Sequence, residues 1–243
     1  MVEPCHDIAH LAHVELLTDR FEDSLDFFTR VYGLSVSAQA PGVAYLRGFD
    51  DYEFHSLKLT AADTTGIGHV AYRATSPEAL ERRVAAIEKL GGGIGWVDGD
   101  EGHGRAYRFH DPDGHVFEIY YDTRRAEPGD GEKAALKNIA SRYHGRGVCV
   151  RRIDHLNLLA KDVSVIRDWM PKALGSRVTE YIQLDNGRLG GCWFTVNNKS
   201  YDIAYTEDHT GHTGRFHHVT YAVDQREDVL RAADIFLENG IHI

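Results

Sequence analysis

The chain contains an internal repeat, and this repeat is the feature that most restricts its possible folds. The stretch "LAHVELLTDRFEDSLDFF" near the start matches "IDHLNLLAKDVSVIRDWM" in the second half, which places His13 on His155. A second stretch, "GHVAYRATSPEALERRVAAIEKLGGGI", matches "HHVTYAVDQREDVLRAADIFLENGIHI" without a gap and places His69 on His218. Each stretch has the pattern of an alternating apolar strand followed by an amphipathic helix. Four related structural modules are therefore predicted.

We predict the element order β-α-β-β-β for each module. In each of the first two modules, three short segments of alternating apolar and polar residues follow the helix. The first two modules fill an N-terminal domain, residues 1–123. Residues 124–150 are polar and rich in glycine and charge, which predicts a linker. The last two modules fill residues 151–243. The predicted fold class is α+β, with tandem βαβββ modules paired into two domains. The fourth module lacks counterparts of 95–123 and would end on an exposed edge, so we expect a truncated module and an incomplete C-terminal domain.

Composition excludes several classes of protein. The formal net charge is −10, whereas binding to nucleic acid or an anionic membrane requires a surplus of lysine and arginine. No apolar run is long enough to span a bilayer, and the start has no signal-peptide pattern. Cys5, Cys149 and Cys192 are widely separated, with no C-x-x-C spacing. They are expected to be reduced thiols of a cytoplasmic protein.

Three residues of metal-ligand type recur at equivalent places in the first module pair. His13 and His69 lie on the first strands of their modules, and Glu118 lies on the last strand, "DGHVFEIYY". Paired modules of this kind curl their strands into a trough in which first and last strands converge. Two neutral imidazoles and one carboxylate form the ligand set of a non-haem Fe(II) site with positions left free for substrate and dioxygen. His103, His115 and several other histidines join no such pattern.

The second module pair supplies only part of this set. His155 and His218 stand at the two histidine positions, while the spacing that leads from His69 to Glu118 leads from His218 past Ile243. We therefore expect a third ligand, a glutamate, beyond Ile243. We also expect the chain to be inactive on its own, because a site without its carboxylate should hold iron poorly.

Several motifs together resemble one family. They are "AHVEL", "DPDGHVFEIYY", "RIDHLNLLAKDV" and "GCWFTVNNKSYDIAYTEDHTGHTGRFHHVTYAV". With them the chain resembles the type I extradiol ring-cleavage dioxygenases of the vicinal oxygen chelate superfamily, and among these the catechol 2,3-dioxygenases. The resemblance implies the paired-module fold, an active site in the C-terminal domain and a vestigial N-terminal metal site. It also implies Fe(II) as cofactor, with His155 and His218 as ligands, and His217 as a residue outside the ligand set.

The resemblance also implies roles for residues around the metal. Trp193 and Asn157 match substrate-binding positions of the family. Tyr201 occupies a position at which relatives usually carry a histidine that moves protons. A phenol is a poorer base than an imidazole at neutral pH, so His209 and His212 in the following loop are the candidates for that task. All three are therefore predicted catalytic residues.

The expected reaction is cleavage of catechol or methylcatechols with O2 to a 2-hydroxymuconic semialdehyde, in aromatic hydrocarbon catabolism. Three alternatives remain open at this stage. The substrate could be a two-ring diol such as 2,3-dihydroxybiphenyl. The protein could be a glyoxalase-like metal-dependent isomerase or lyase that uses His13, His69 and Glu118. It could also bind an aromatic ligand without chemistry. The expected partners are a small aromatic diol and O2, without nucleic acid or membrane, in a homo-oligomer.

Overall fold

The architecture was taken from a computed structural model, which describes residues 6–136 and 138–243. Its strands are β1 (Ile8–Thr18), β2 (Ser35–Ala40), β3 (Val43–Arg47), β4 (Leu57–Ala61), β5 (Gly66–Ala74), β6 (Gly93–Val97), β7 (Ala106–His110), β8 (Val116–Tyr120), β9 (Arg152–Ala160), β10 (Arg177–Gln183), β11 (Leu189–Thr195), β12 (Ile203–Glu207) and β13 (Phe216–Ala222). Its helices are α1 (Phe21–Asp26), α2 (Pro77–Lys89), α3 (Val163–Leu174) and α4 (Arg226–Glu238). The predicted α+β class and the order of elements are confirmed.

The strand order repeats from module to module. One sheet has the order β2-β3-β4-β1-β5-β8-β7-β6, and the other has the order β10-β11-β12-β9-β13. In the first three modules the last strand lies parallel to the first, as in the pairs β1 with β4, β5 with β8 and β9 with β12. The other neighbours within these modules are antiparallel. The helix of each module therefore carries the chain to the far edge of its strands, and hairpins bring it back beside the first strand.

The helices begin where the sequence supplies capping groups. The Ser76 side chain accepts a hydrogen bond from the Ala79 N–H, and proline follows at the first helical position of α2. The Asp162 carboxylate caps α3 in the same way through the Ser164 N–H, and Gly175 ends that helix in the left-handed conformation. The helix predicted from Phe21 onward is only partly α-helical, because it continues as a π-helical turn, Phe27–Val31.

Contacts divide the chain into two compact units. Unit 1 comprises the residues up to Ala12, Gly66–Asp122 and His155–Thr220, and unit 2 comprises His13–Thr65, Thr123–Asp154 and Tyr221–Ile243. One division falls inside the continuous strand β1, so that strand contributes residues to both units. Each unit combines segments of both predicted domains. The assignment of domains to residues 1–123 and 151–243 therefore remains a prediction.

Each unit has its own buried core. In unit 1 the rings of Tyr72 and Phe117 stack 6.4 Å apart, Phe109 stacks on Phe117, and Trp169 of α3 packs against Phe109. In unit 2 Val14 pairs with Leu57 across β1 and β4, and both side chains are fully buried. Burial of each such side chain stabilises the fold by about 1.5–3 kcal/mol.

The cysteines and the lengths of the helices can be compared with the predictions from composition. Cys149 and Cys192 are free and buried, which agrees with reduced thiols, while Cys5 lies outside the described residues. Among the described residues, the helices are all too short or too polar to cross a bilayer.

Candidate metal centre and substrate face

One face of the five-stranded sheet carries most of the predicted site residues. Asn157 on β9 lies opposite Ala204 on β12, and Ala204 lies opposite Trp193 on β11. The Asn157 amide donates to the Thr206 hydroxyl at 3.0 Å, which fixes Asn157 and Thr206 on one side. Because side chains alternate along a strand, His155 shares the face of Asn157. The structure therefore brings together the residues for which a substrate-binding or metal-binding role is predicted.

His155 and His218 meet on this face. Their ring centroids lie 5.6 Å apart, and the ring planes are inclined by 80°. Both side chains are partly buried. With metal–nitrogen bonds of about 2.1 Å, two imidazoles on one ion have ring centres roughly 4.5–6 Å apart. The spacing of His155 and His218 is therefore compatible with a shared metal ion.

The electrostatic surroundings of His218 also suit a metal ligand. Burial lowers the pKa of His218, and the positive charges of His217 and His155 lower it further. A lowered pKa favours the neutral imidazole, which is the form that binds metals. The predicted ligand pair thus fits a divalent cation by its donor atoms, its ring spacing and its electrostatic surroundings.

His217 is the immediate partner of His218. It is exposed, and its Nδ1 lies 2.7 Å from the Nδ1 of His218. One of these nitrogens must carry the hydrogen and the other must accept it. If His218 donates from Nδ1, its Nε2 is free to bind a metal, which is the usual arrangement of an oriented ligand. His217 therefore has a structural relation to the site that the sequence did not indicate.

Tyr201 packs directly on the predicted ligand His155. The two ring centroids are 4.6 Å apart in an edge-to-face arrangement, and the tyrosine is partly buried. Tyr201 therefore lies beside a predicted metal ligand. Its predicted catalytic role is a proposal that this placement supports.

The two loop histidines are placed differently. His209 is exposed, and its Nε2 lies 3.5 Å from the carboxylate of Glu207, which is buried. The Glu207 carboxylate also pairs with Arg188. His212 is exposed, and its backbone N–H contacts the Thr210 hydroxyl. Catalytic roles for His209 and His212 stay predictions, because the contacts described here run to the loop and to Glu207.

The alternative ligand set in the first half of the chain is also brought together. His13, His69 and Glu118 are buried, and each offers one ligand atom within 4.8 Å of the other two. The Nε2 of His69 lies 3.5 Å from the Oε1 of Glu118. A further histidine, His103, approaches the same oxygen at 3.3 Å. The repeat could not indicate His103, because that residue lies in a turn before β7 and not at a module-start position.

Glu118 is held as a carboxylate. Burial alone would raise its pKa, but the hydrogen bond from His69, the charges of His69 and His103, and the Arg108 guanidinium outweigh burial and lower the pKa to about 2. Arg108 on β7 donates from Nε to the Oε2 of Glu118 at 3.0 Å. One carboxylate oxygen thus faces arginine, and the other faces the two imidazoles.

Comparison with known proteins defines the class of this fold. The family model described as the Glyoxalase/Bleomycin resistance protein/Dioxygenase superfamily matches residues 10–119 and 152–243. The chain belongs to this superfamily, and the predicted vicinal oxygen chelate fold is confirmed. The first matched segment begins within β1 and the second begins at the first residue of β9, in agreement with the repeat.

Curated relatives narrow the comparison to ring-cleaving dioxygenases. A protein named metapyrocatechase from Geobacillus stearothermophilus is 41% identical over 99% of this chain and 73% of its own length. A manganese-dependent 2,3-dihydroxybiphenyl 1,2-dioxygenase from Geobacillus genomosp. 3 is 36% identical over 98% of this chain and 76% of its own length. The resemblance to the extradiol dioxygenases is therefore confirmed.

Solved structures of other ring-cleaving dioxygenases also match this chain. Homoprotocatechuate 2,3-dioxygenase of Brevibacterium fuscum, in complex with 3,4-dihydroxyphenylacetate, matches with a TM-score of 0.84 at 29% identity, covering 99% of this chain and 72% of the other. The 2,3-dioxygenase LapB from Pseudomonas sp. KL28 matches with a TM-score of 0.86, covering 99% and 82%. At 22% identity the likeness to LapB shows the fold alone.

Proposed function

We propose that this protein is an extradiol dioxygenase that cleaves catechol or methylcatechols with O2 to a 2-hydroxymuconic semialdehyde. The observation that carries the proposal is the meeting of His155 and His218 on the face that also presents Asn157 and Trp193. The 41% identity to a metapyrocatechase supports the same reaction.

The residues of this face have separate tasks in the proposed reaction. His155 and His218 would hold the metal through neutral imidazole nitrogens. Trp193 offers an aromatic ring beside which a catechol ring can pack. Asn157 is held by its hydrogen bonds to Thr206, so its amide is fixed at the site. Tyr201, packed on His155, would donate its hydroxyl hydrogen to oxygen atoms of the bound substrate.

The proposed cofactor is Fe(II). When bound, a ferrous ion would supply a Lewis acid for the diol and a redox-active centre for the reaction with dioxygen. Imidazole ligands also suit other divalent first-row metals, and one relative is named manganese-dependent. The experiment that tests this cofactor must therefore compare loading with Fe(II) and loading with Mn(II).

The remaining parts of the proposal concern binding partners, cellular location and oligomeric state. The partners would be a small aromatic diol and O2, without nucleic acid or membrane. The two described cysteines are free, which supports a cytoplasmic location. Assembly into a homo-oligomer is proposed from the family resemblance alone.

Anaerobic loading tests the proposed function. The 243-residue chain is loaded with Fe(II) or Mn(II), and catechol binding is measured by difference absorption without oxygen. Binding that requires metal and is lost in His155→Ala and His218→Ala supports the site. Equal binding by apoprotein and both variants would overturn it.

Turnover is measured under air on the metal-loaded protein. The expected result is one O2 consumed per catechol and a yellow ring-opened semialdehyde. A metal-loaded enzyme that consumes no O2, or that yields a colourless diacid, would contradict extradiol cleavage.

A second substrate has one specific observation in its favour. The relative with 36% identity is named for 2,3-dihydroxybiphenyl. Comparison of kcat/KM for catechol, a methylcatechol and 2,3-dihydroxybiphenyl decides between them. A higher value for the two-ring diol would replace the proposed substrate without changing the reaction.

A further inference from the structure

We propose that His115 is a positioning residue of the metal site at His155 and His218. It acts as a buried imidazolium that holds the Arg215 carbonyl at the junction of β9 and β13, the strands that carry the two predicted ligands. This inference rests on the proposed function, because it assigns a residue that supports the same site. It concerns a histidine that joins no pattern in the sequence.

The hydrogen bonds of His115 determine its protonation. The residue ends the turn 111–115 that joins β7 to β8. Its side chain and that of Asp111 are completely buried, and its Nδ1 lies 2.8 Å from the Oδ2 of Asp111. Its Nε2 lies 2.9 Å from the backbone oxygen of Arg215. A carboxylate and a carbonyl oxygen can only accept hydrogen bonds, so both ring nitrogens must donate, and His115 is an imidazolium.

The positive charge of His115 is balanced within the same turn. The Oδ2 of Asp111 also accepts a hydrogen bond from the Tyr205 hydroxyl at 2.7 Å. Its Oδ1 accepts from the backbone N–H groups of Asp113 and His115. Burial by itself lowers the pKa of His115. Asp111, the Arg215 carbonyl and Asp113 outweigh burial, so that the pKa is raised above its ordinary value.

The Arg215 carbonyl lies where β9 and β13 are joined. It accepts a second hydrogen bond, at 2.9 Å, from the Leu159 N–H of β9, and Arg215 directly precedes β13. Asp113 of the same turn holds both strand ends. Its Oδ1 accepts from the Lys161 N–H just after β9 at 2.8 Å, and its Oδ2 accepts from the Gly214 N–H at 3.2 Å. The turn 111–115 therefore fixes the two strands relative to each other at one point.

This junction is near the predicted ligands along both strands. His218 follows Arg215 by three residues, and His155 precedes Leu159 by four. A change in strand pairing at Arg215 would therefore displace His218 relative to His155, and a site must be held within about 0.5 Å of its productive geometry. The Arg215 guanidinium pairs with Asp208 at 2.9 Å, so the backbone carbonyl is the group that connects His115 to β13.

Two substitutions separate positioning from a purely structural role. The amide nitrogen of His115→Gln reaches as far as Nε2 and can still donate to the Arg215 carbonyl. The amide nitrogen of His115→Asn takes the place of Nδ1 and can donate only to Asp111. Both variants lose the buried positive charge, so both should unfold at lower urea concentrations than the wild type. If the ion pair only stabilises the fold, metal affinity will not distinguish the two variants.

Anaerobic titration with Fe(II) provides this comparison. A Glu118→Gln background confines the measurement to His155 and His218, because Glu118 belongs to the other candidate ligand set. His115→Asn should weaken Fe(II) binding at least ~10-fold, whereas His115→Gln should stay within ~3-fold of the parent. Equal affinities of the Asn and Gln variants would overturn the inference.

Two further variants complete the titration. His115→Met fills the space of the ring without any donor, and it replaces His115→Asn should that protein fail to fold, with the same expected loss of affinity. His110→Asn is the matched control, because His110 is exposed and precedes the same turn, and its Nδ1 contacts the Gly114 carbonyl oxygen at 3.3 Å. The control should bind Fe(II) like the parent.

Amide hydrogen exchange tests the junction without metal. The Leu159 N–H should exchange at least ~10-fold faster in His115→Asn than in His115→Gln. The Leu156 N–H, which donates to the Asp202 carbonyl from the same strand, should change only in proportion to overall stability. This local change in a parent that binds no Fe(II) would contradict the proposed metal site alone, and the positioning of β13 by His115 would stand. Equal changes at Leu159 and Leu156 would show that His115 acts on overall stability only, and would overturn the inference.

Discussion

The Nδ1 atoms of His217 and His218 lie 2.7 Å apart, so that two adjacent residues of β13 are joined through their rings. Consecutive strand residues normally point to opposite faces, and the sequence alone favours one ligand and one uninvolved neighbour. The contact instead makes His217 a group that can set the tautomer and ring orientation of His218. This relation gives the two histidines different, measurable roles.

Removal of each histidine should therefore have a different effect on the affinity for metal. His218→Ala deletes a ligand and should abolish measurable Fe(II) binding at the C-terminal pair. His217→Ala deletes only the orienting partner and should weaken binding by about 10–100-fold. Anaerobic titration with Fe(II) in a Glu118→Gln background measures this pair alone. Equal affinities of the His217→Ala protein and its parent would show that the contact does not orient His218.

The repeat explains how much of the fold could be predicted. Apolar alternation was visible in the sequence, and the corresponding strands and helices formed. The match of His155 to His13 and of His218 to His69 likewise indicated which residues would converge. The predicted strands and helices are confirmed because they depend on local pattern and on the copy of a module, while the ligand roles of these histidines stay predictions.

Tyr201 provides the second prediction, which concerns turnover. Tyr201→Phe keeps the edge-to-face contact with His155 but loses the hydroxyl group. If the hydroxyl donates to substrate oxygen, kcat should fall about 10–100-fold while metal and catechol affinities stay unchanged. The measurement is O2 uptake by the metal-loaded protein. An unchanged kcat would transfer the role to His209 or His212, which single His→Ala variants at those positions would then reveal.

Contacts that depend on tertiary packing could not be predicted in the same way. His103 approaches Glu118 only because β7 and β8 are paired and the turn before β7 folds over them. Its position in the sequence has no counterpart among the module-start histidines. The ring contact of His217 is also a matter of side-chain rotation, which strand periodicity does not fix.

Gly33 provides a prediction about stability. Its φ is +92°, and a Cβ there would lie 2.3 Å from the backbone oxygen of Arg146. Gly33→Ala should therefore lower the free energy of unfolding by more than ~3 kcal/mol, from the left-handed conformation and the clash together. Gly91 has a φ of +79° and open space around it, so Gly91→Ala should cost only about 1–2 kcal/mol. Urea unfolding measures the free energy of unfolding of both variants. Equal losses of stability would show that the segment around Arg146 moves to accommodate the new Cβ without an energetic cost.

Asp51 provides the last prediction, a dependence of stability on pH. The side chain is buried and accepts hydrogen bonds from the Gly48 and Ile153 N–H groups and the Ser56 hydroxyl. Burial raises its pKa to about 6, although these hydrogen bonds and Arg47 act in the opposite direction. The folded state thus binds the proton more tightly than the unfolded state, in which an aspartate titrates near 3.9. Stability should therefore fall as pH rises through this window, by about 3 kcal/mol in total.

Asp51→Asn removes this titration. Any loss of stability caused by the asparagine amide beside the surrounding N–H groups does not depend on pH. The difference in unfolding free energy, variant minus wild type, should become more positive between pH 4 and pH 7 by about 3 kcal/mol. Asp19→Asn, at an exposed position before α1, is the control and should show a difference that is flat by comparison. Urea unfolding at several pH values measures both curves. A flat difference for Asp51→Asn as well would mean that the buried carboxylate is ionised without penalty, because its three donors stabilise the charge fully.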